Sequence, residues 1–253
     1  MSAIWIALAV GLLTFGAGML GLYLQKKLPQ QHMTGGSRDM ILAVIGLVTL
    51  LLALVLGTLV GNTYAFFATQ KAELETFASR ALLLDQSLAE YGPETKPLRD
   101  GLKEALTESY ELFWKGAAVD PKLLRADVPI TRYQPMFERL KTLKPTTDAQ
   151  KESLAGAKTN LALMEQTRLL MSLQLASPIA WSLMIIVIAW AAFLFCGFGV
   201  LSGTNPTTIG VLVLGAISVA SAMFLILDLS QPYTGNFRVS PAALEQTIEA
   251  LGK

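Results

Sequence analysis

Asp228 is the only acidic residue inside the long apolar segments of this sequence, and its chemistry depends on the group that stabilises it. It lies at the end of an apolar stretch and is followed at once by a turn that contains Pro232, Tyr233 and Gly235. A negative charge at a helix C-terminus opposes the helix dipole, so we expect another group to hold it. Two roles are open. Asp228 either locks the C-terminal turn to the helices or lies on an ion pathway.

Arg168 is the cation that could pair with Asp228. It occupies one position of an apolar helical seam that also contains Met164 and Met171. A buried guanidinium needs a charged or hydrogen-bonding partner, and the sequence predicts Asp228 as that partner. The alternative is that the apolar stem of Arg168 covers the seam while its guanidinium reaches water.

Four small or polar residues, Gly57, Thr58, Gly61 and Asn62, follow one another where the second apolar segment leaves the bilayer. Polar groups at this depth are costly unless they contact water or a protein partner, which makes Thr58 and Asn62 candidates for an ion pathway. The alternative places Asn62 among lipid headgroups. The spacing of Gly57 and Gly61 permits close contact with another helix, either of the same chain or of a second subunit.

Residues that support catalysis or metal binding are scarce. The chain has one histidine, His32, and one cysteine, Cys196, which cannot supply an imidazole and thiolate cluster. No glycine-rich phosphate loop and no nucleophile elbow is present. We therefore predict no catalytic site, no metal site and no cofactor. The formal net charge of +1 gives no indication of nucleic-acid binding.

Membrane helices must position these candidates. Hydrophobic residues make up 53% of the chain and charged residues only 15%, a composition that indicates an integral membrane protein. Four apolar segments each have about 20 residues, the length that crosses a hydrocarbon core of about 30 Å as a helix. These segments are residues 3–24, 40–61, 178–201 and 208–229. No basic residue precedes the first segment, which predicts a retained anchor rather than a cleavable signal peptide.

The polar region between the second and third segments predicts an aqueous helical domain. Apolar residues recur there at alternating steps of three and four, which is typical of packed helices. The two runs are Leu74, Phe77, Ala81, Leu84, Leu88 and Tyr91, and Leu154, Ala157, Leu161, Met164, Met171 and Leu175. We predict an all-α integral membrane fold with four transmembrane helices, in which the second and third continue into this domain and pack antiparallel. Shorter helices are expected at 94–114, 121–126, 132–143 and after the Ser240–Pro241 pair.

The predicted domain boundaries follow from these segments. They are a first transmembrane hairpin at 1–61, the aqueous helical domain at 62–177, a second transmembrane hairpin at 178–229, and a C-terminal turn and short helix at 230–253. The linker at 25–39 carries Lys26, Lys27 and Arg38, whereas the loop at 202–207 carries no charge. The positive-inside rule then places the linker in the cytoplasm, and both termini and the aqueous domain outside it.

The C-terminal block AISVASAMFLILDLSQPYTGNFRVSPAAL, residues 216–244, resembles the bacterial bestrophin-like membrane family, as do YGPE at 91–94 and RLLMSLQ at 168–174. By distant analogy with bestrophin anion channels, the resemblance implies a multi-pass protein of the bacterial inner membrane with an oligomeric pore. The family pattern usually has Glu, Asp and Arg at positions 228, 230 and 231. This chain has Asp228, Ser230 and Gln231 instead, so it keeps one acid of two and lacks the cation. No segment matches the calcium clasp of true bestrophins.

Together, the residues and the resemblance predict a homo-oligomer that passes inorganic ions passively, anions in preference to cations. Four helices with so few polar positions cannot line a pore alone, so the pore would have to lie on a symmetry axis. The alternative is a non-conducting membrane sensor or scaffold whose aqueous domain binds a partner. The expected partners are the lipid bilayer, further copies of the chain and a small ion.

Overall fold

The computed structural model describes residues 3–29, 35–115, 136, 138–176 and 181–252, and all regular secondary structure in this part of the chain is helical. The α-helices are α1 (Ala3–Lys27), α2 (Gly36–Tyr91), α3 (Lys96–Tyr110), α4 (Asp148–Ala176), α5 (Trp181–Leu201), α6 (Pro206–Leu229) and α7 (Ala242–Ala250). A 3₁₀ turn at Pro93–Thr95 precedes α3, a π-helical turn at Glu111–Lys115 follows it, and residues 138–142 are also helical.

Four of the helices, α1, α2, α5 and α6, are long and apolar enough to cross a membrane. The predicted all-α fold with four membrane spans is therefore confirmed. The second span continues as one helix of 56 residues to Tyr91, as its sequence predicts. The predicted continuation of the third span passes through residues 177–180, which lie outside the described residues. The helix predicted at 121–126 lies outside them too, as do residues 132–135 and 137 of the one predicted at 132–143, of which residues 138–142 are helical.

Three element boundaries differ from the sequence prediction. The linker at 25–39 is shorter, because α1 runs through Lys27 and α2 begins at Gly36. The helix at 94–114 is divided into a 3₁₀ turn, α3 and the π-helical turn. Pro97 lies in the first turn of α3, where its missing N–H costs no helical hydrogen bond. The last helix has Pro241 as its N-cap rather than its first residue, although Ser240 Oγ accepts a hydrogen bond from the Ala242 N–H at 3.3 Å.

The chain divides into two compact units. The membrane unit comprises Met1–Phe66 and Ile179–Ser230, and the aqueous unit comprises Phe67–Pro178 and Gln231–Lys253. In the membrane unit the apolar core includes Val10 of α1, Leu52 of α2 and Met223 of α6. Burial of such side chains inside the unit is what packs these apolar helices side by side.

The core of the aqueous unit is built on the two predicted seams. Leu84 and Leu88 of α2 and Leu161 of α4 have no exposed surface, and they pack with side chains of α3 and α7. Hydrogen-bonded pairs that join α2 to α4 include Gln70 with Gln174, Arg80 with Asn160, and the Tyr91 carbonyl with Gln150. Because residue numbers rise along α2 as they fall along α4, the two helices are antiparallel. Helix α2 ends at Gly92, whose φ of +142° few other residues adopt.

Candidate functional site

The face of α2 that carries Gly57, Thr58, Gly61 and Asn62 is exposed in the membrane unit. In the most apolar 18-residue stretch of α2, only 11% is buried, against 28% in the corresponding stretches of α1 and α5. Thr58 Oγ1 donates a hydrogen bond to the Val55 carbonyl at 2.8 Å, within its own helix. The contacts of α2 with the rest of the unit lie elsewhere, at Ile45, Leu52 and Leu59. Within the described part of the chain, helix α2 therefore presents an exposed face of small and polar side chains at these four positions.

The two glycines of this face have no neighbours among the described residues. A Cβ atom added to Gly57 or Gly61 would meet nothing within 4 Å. The close contact that their spacing permits is therefore not made inside the described chain. The other alternative, contact with a second subunit, stays a prediction.

Asp228 is 2% exposed and lies in the last turn of α6, among buried Ile226, Leu227 and Leu229. The helix ends directly after it, where Ser230 N donates to the Ile226 carbonyl at 3.2 Å and Ser230 Oγ to the Leu227 carbonyl. The carboxylate of Asp228 is almost completely buried, which is what we expect if other groups hold it. Its role as a lock or on an ion pathway stays a prediction.

The turn after α6 belongs to the aqueous unit. Gly235 N donates to the Gln231 carbonyl at 2.8 Å, and Val239 N donates to the Pro232 carbonyl at 2.8 Å, so the turn closes on itself. Tyr233 is 5% exposed. Its ring lies edge-on to Trp114, whose indole N–H donates to the Val239 carbonyl at 2.9 Å.

Arg168 lies on α4 in the aqueous unit and forms an ion pair with Glu165, one turn earlier, at 3.1 Å. Its side chain is 14% exposed. The Nε and Nη1 atoms are buried and have no hydrogen-bond partner among the described residues. The partner that the structure assigns to this guanidinium is thus a neighbour on the same helix, and the pairing with Asp228 stays a prediction.

A chain of buried polar groups joins α2 to α4 near the start of the aqueous unit. Gln70 Nε2 donates to Gln174 Oε1 at 2.6 Å, and Gln174 Nε2 donates to Glu73 Oε1 at 2.7 Å. Tyr233 packs in one buried apolar cluster with Leu74, the residue that follows Glu73. Its pKa is raised, first by burial and then by the charge of Glu73. These residues form a polar cluster inside an otherwise apolar contact.

A second buried polar contact joins α2, α3 and the C-terminus. Arg99 makes two hydrogen bonds to Asp85, from Nε at 2.7 Å and from Nη2 at 2.8 Å. The hydrogen bond with Asp85 is the main cause of a raised pKa for Arg99. Gly252 N also donates to Asp85 at 3.3 Å, and Lys103 Nζ donates to the Leu251 carbonyl at 2.9 Å. Arg99 thus holds Asp85 by a bidentate contact, and the hydrogen bonds to Gly252 and Leu251 tie these two residues to α2 and α3.

Sequence reasoning missed both buried polar contacts. One signal was present: Gln70 precedes Leu74 by four residues and so continues the apolar seam of α2 by one step. An amide at a seam position indicates a buried hydrogen bond. The identity of its partner depends on the alignment of α2 with α4, which the spacing within either helix does not give.

The comparisons with known proteins agree with the fold. The bestrophin-like domain model matches residues 12–244, a range that includes most of α1 and all of the other three spans. No curated protein and no solved structure gives a match. The resemblance identified in the C-terminal block is confirmed, and the chain belongs to the bestrophin-like family.

Proposed function

We propose that the protein is a homo-oligomeric channel in which the exposed face of α2 lines a passive pathway for small inorganic ions. The observation that supports this most is the exposure of Asn62 and Thr58 beside two glycines without neighbours. An amide in contact with lipid tails is costly, and a water-filled axis between subunits removes that cost. Cyclic symmetry places the same face of each copy around one axis.

We propose that the ions that pass through this channel are anions. Helix α2 carries no charged residue between Asp39 and Lys71. This face lacks the Asp or Glu rings of many cation channels and also the Lys or Arg rings of many anion pores, so the preference for anions rests on hydrogen-bond donors. The amide N–H groups of Asn62 are donors that can replace part of the hydration shell of an anion, whereas the Thr58 hydroxyl would have to leave the Val55 carbonyl to do the same. We propose that the function is not enzymatic, because the sequence lacks nucleophile and phosphate-binding motifs.

The close approach of α1 and α5 supports a pathway between subunits rather than inside one. Gly199 of α5 lies against the backbone of Gly18 and Gly21 in α1. Helices in such contact leave no room for an ion along their line of contact. Exposed polar side chains lie on α2 and on α6, where the hydroxyls of Ser218 and Ser221 bond to their own helix, and the face of α2 also carries the amide of Asn62.

The test combines assembly with flux. Gly61→Leu should leave the protomer folded and reduce the oligomer to smaller species, measured by light scattering in detergent. Thr58→Val and Asn62→Leu should preserve the oligomer and reduce chloride efflux from reconstituted liposomes. Thr63→Val is the matched control, because the Thr63 hydroxyl bonds to its own helix as that of Thr58 does, but Thr63 is half-buried and Thr58 is exposed. A wild-type protein that is monomeric, or that passes no anion, contradicts the proposal.

The second candidate is a non-conducting scaffold. It is favoured by the aqueous unit, which has its own apolar core and a surface groove of about 510 Å³. The groove is lined by Asp100, Lys103, Glu104, Thr107, Glu108 and Glu111. Oligomers without flux in the experiment above would favour this candidate.

We further propose that the aqueous unit faces the outside of the bacterial inner membrane. The support is the basic linker around Lys26 and Lys27, which the positive-inside rule places in the cytoplasm. In a Cys196→Ala background, Glu152→Cys should react with a membrane-impermeant thiol reagent on intact cells, whereas Gly36→Cys should not. The reverse pattern of labelling contradicts this orientation.

A further inference from the structure

The direction of the hydrogen bonds between α2 and α4 is fixed by Glu73. An ionised carboxylate only accepts hydrogen bonds, so the group of Gln174 that contacts Glu73 must be its NH₂. The oxygen of Gln174 then faces Gln70, so Gln70 must donate a hydrogen bond to it from its own NH₂ group. Gln70 Oε1 is the acceptor left over at the end of this chain.

Three oxygen atoms of this cluster are buried without a hydrogen-bond partner among the described residues: Gln70 Oε1, Glu73 Oε2 and Tyr233 Oη. Gln70 has no exposed surface and Tyr233 is 5% exposed. Buried polar atoms in folded proteins are nearly always satisfied, so such a group of orphan oxygens indicates an occupant.

The charge of Glu73 is also uncompensated within the described residues. No described Lys or Arg forms an ion pair with it. Lys71, two residues away, pairs with Glu75 at the surface, and Arg168 on the facing helix pairs with Glu165. Glu73 Oε1 accepts the hydrogen bond of Gln174, but its buried Oε2 has no described donor. A cation there would balance the carboxylate charge, which a neutral water molecule would not do.

We propose that Gln70, Glu73 and Tyr233 form a binding site for one dehydrated monovalent cation of the Na⁺ or K⁺ class. Hard cations take oxygen ligands, and these three residues supply a carboxylate, an amide and a hydroxyl oxygen. The single carboxylate balances one positive charge, whereas calcium sites collect several carboxylates. The site ties α2, α4 and the C-terminal turn together in the aqueous unit. It is independent of the ion pathway proposed above.

The test is thermal unfolding of the purified full-length protein in NaCl, KCl and N-methyl-D-glucamine chloride at equal chloride concentration. In the wild type, saturating Na⁺ or K⁺ should raise the midpoint by about 2–4 °C over the large organic cation. Glu73→Gln should abolish the difference between the salts. Glu75→Gln is the matched control: this carboxylate is exposed and two residues away, so the full shift should remain.

A second variant keeps the test decisive if Glu73→Gln does not fold. Tyr233→Phe removes one ligand oxygen and leaves the ring in its aromatic contacts. The half-saturating concentration of the cation should then rise about threefold or more, since one ligand is lost. Equal midpoints in all three salts for the wild type would overturn the site, as would a shift that survives Glu73→Gln or an unchanged half-saturating concentration in Tyr233→Phe.

Discussion

Two pairs of glycines in the membrane unit have similar spacings and opposite surroundings. Gly21 of α1 lies so closely against α5 that a methyl group on it would overlap the Cys196 carbonyl, and a methyl group on Gly18 would meet the side chain of Leu212 on α6. Gly57 and Gly61 of α2 have open space where their Cβ atoms would be. Small-residue spacing therefore identifies a helix face suited to close contact, but it does not identify the partner.

The polar neighbours of each pair indicate what the partner is. Thr14, on the same face as Gly18, is fully buried and bonds to the Val10 carbonyl, so it is satisfied inside its own helix. Asn62, beside Gly61, is exposed. An exposed amide cannot be satisfied by lipid tails, and this difference favours water and further subunits at the face of α2. The following predictions test the contrast between the two pairs.

The largest effect is expected at Gly21, where α1 lies directly against α5. Gly21→Ala places a methyl group 2.9 Å from Gly199 Cα and against the backbone of Cys196, so the two helices must separate. We expect a loss of about 1–3 kcal/mol or more in the free energy of unfolding, measured by thermal unfolding in detergent. A variant as stable as the wild type would show that α1 and α5 do not pack through their glycines.

An intermediate effect is expected at Asp228, which is buried at the end of α6. Asp228→Asn keeps the shape of the side chain but removes the charge that its surroundings stabilise. We expect destabilisation by about 1–3 kcal/mol, with weaker assembly or altered ion flux. Asp228→Glu should be tolerated, because the family pattern usually has Glu at this position. If Asp228→Asn and Asp228→Ala both match the wild type in stability, assembly and flux, Asp228 is neither a lock nor part of the pathway.

The smallest effect on the stability of the protomer is expected at Gly57 and Gly61, which have no neighbouring atoms within the described chain. Gly57→Ala adds a methyl group where no described atom lies within 4 Å. Alanine is the better helix former by about 0.5–1 kcal/mol, so the unfolding temperature of the dissociated protomer should stay the same or rise slightly. A strong loss of protomer stability, measured under conditions that separate the subunits, would mean that α2 packs inside the chain at this face.

Much of the fold follows from patterns within single segments. The apolar lengths predict the four spans, and the steps of three and four predict the buried positions from Leu74 to Tyr91, all of which are in the core. The boundary between α2 and α3 depends on Gly92 and Pro97, whose effects are local. The cluster of Gln70, Glu73 and Tyr233 could not be predicted in this way. It joins α2 to the C-terminal turn and, through Gln174, to α4, and the alignment of these segments is decided by the packing of the whole aqueous unit.

The most direct test of the central claim is whether water and ions reach the exposed face of α2 in the assembled protein. Asn62→Cys and Leu214→Cys should be compared in a Cys196→Ala background, since both positions are exposed on the protomer. If α2 lines the pathway, a charged thiol reagent should block chloride efflux through Asn62→Cys in liposomes and leave Leu214→Cys unaffected. Equal responses of the two variants, or efflux through Asn62→Cys that the reagent does not change, would contradict the claim that this face conducts ions.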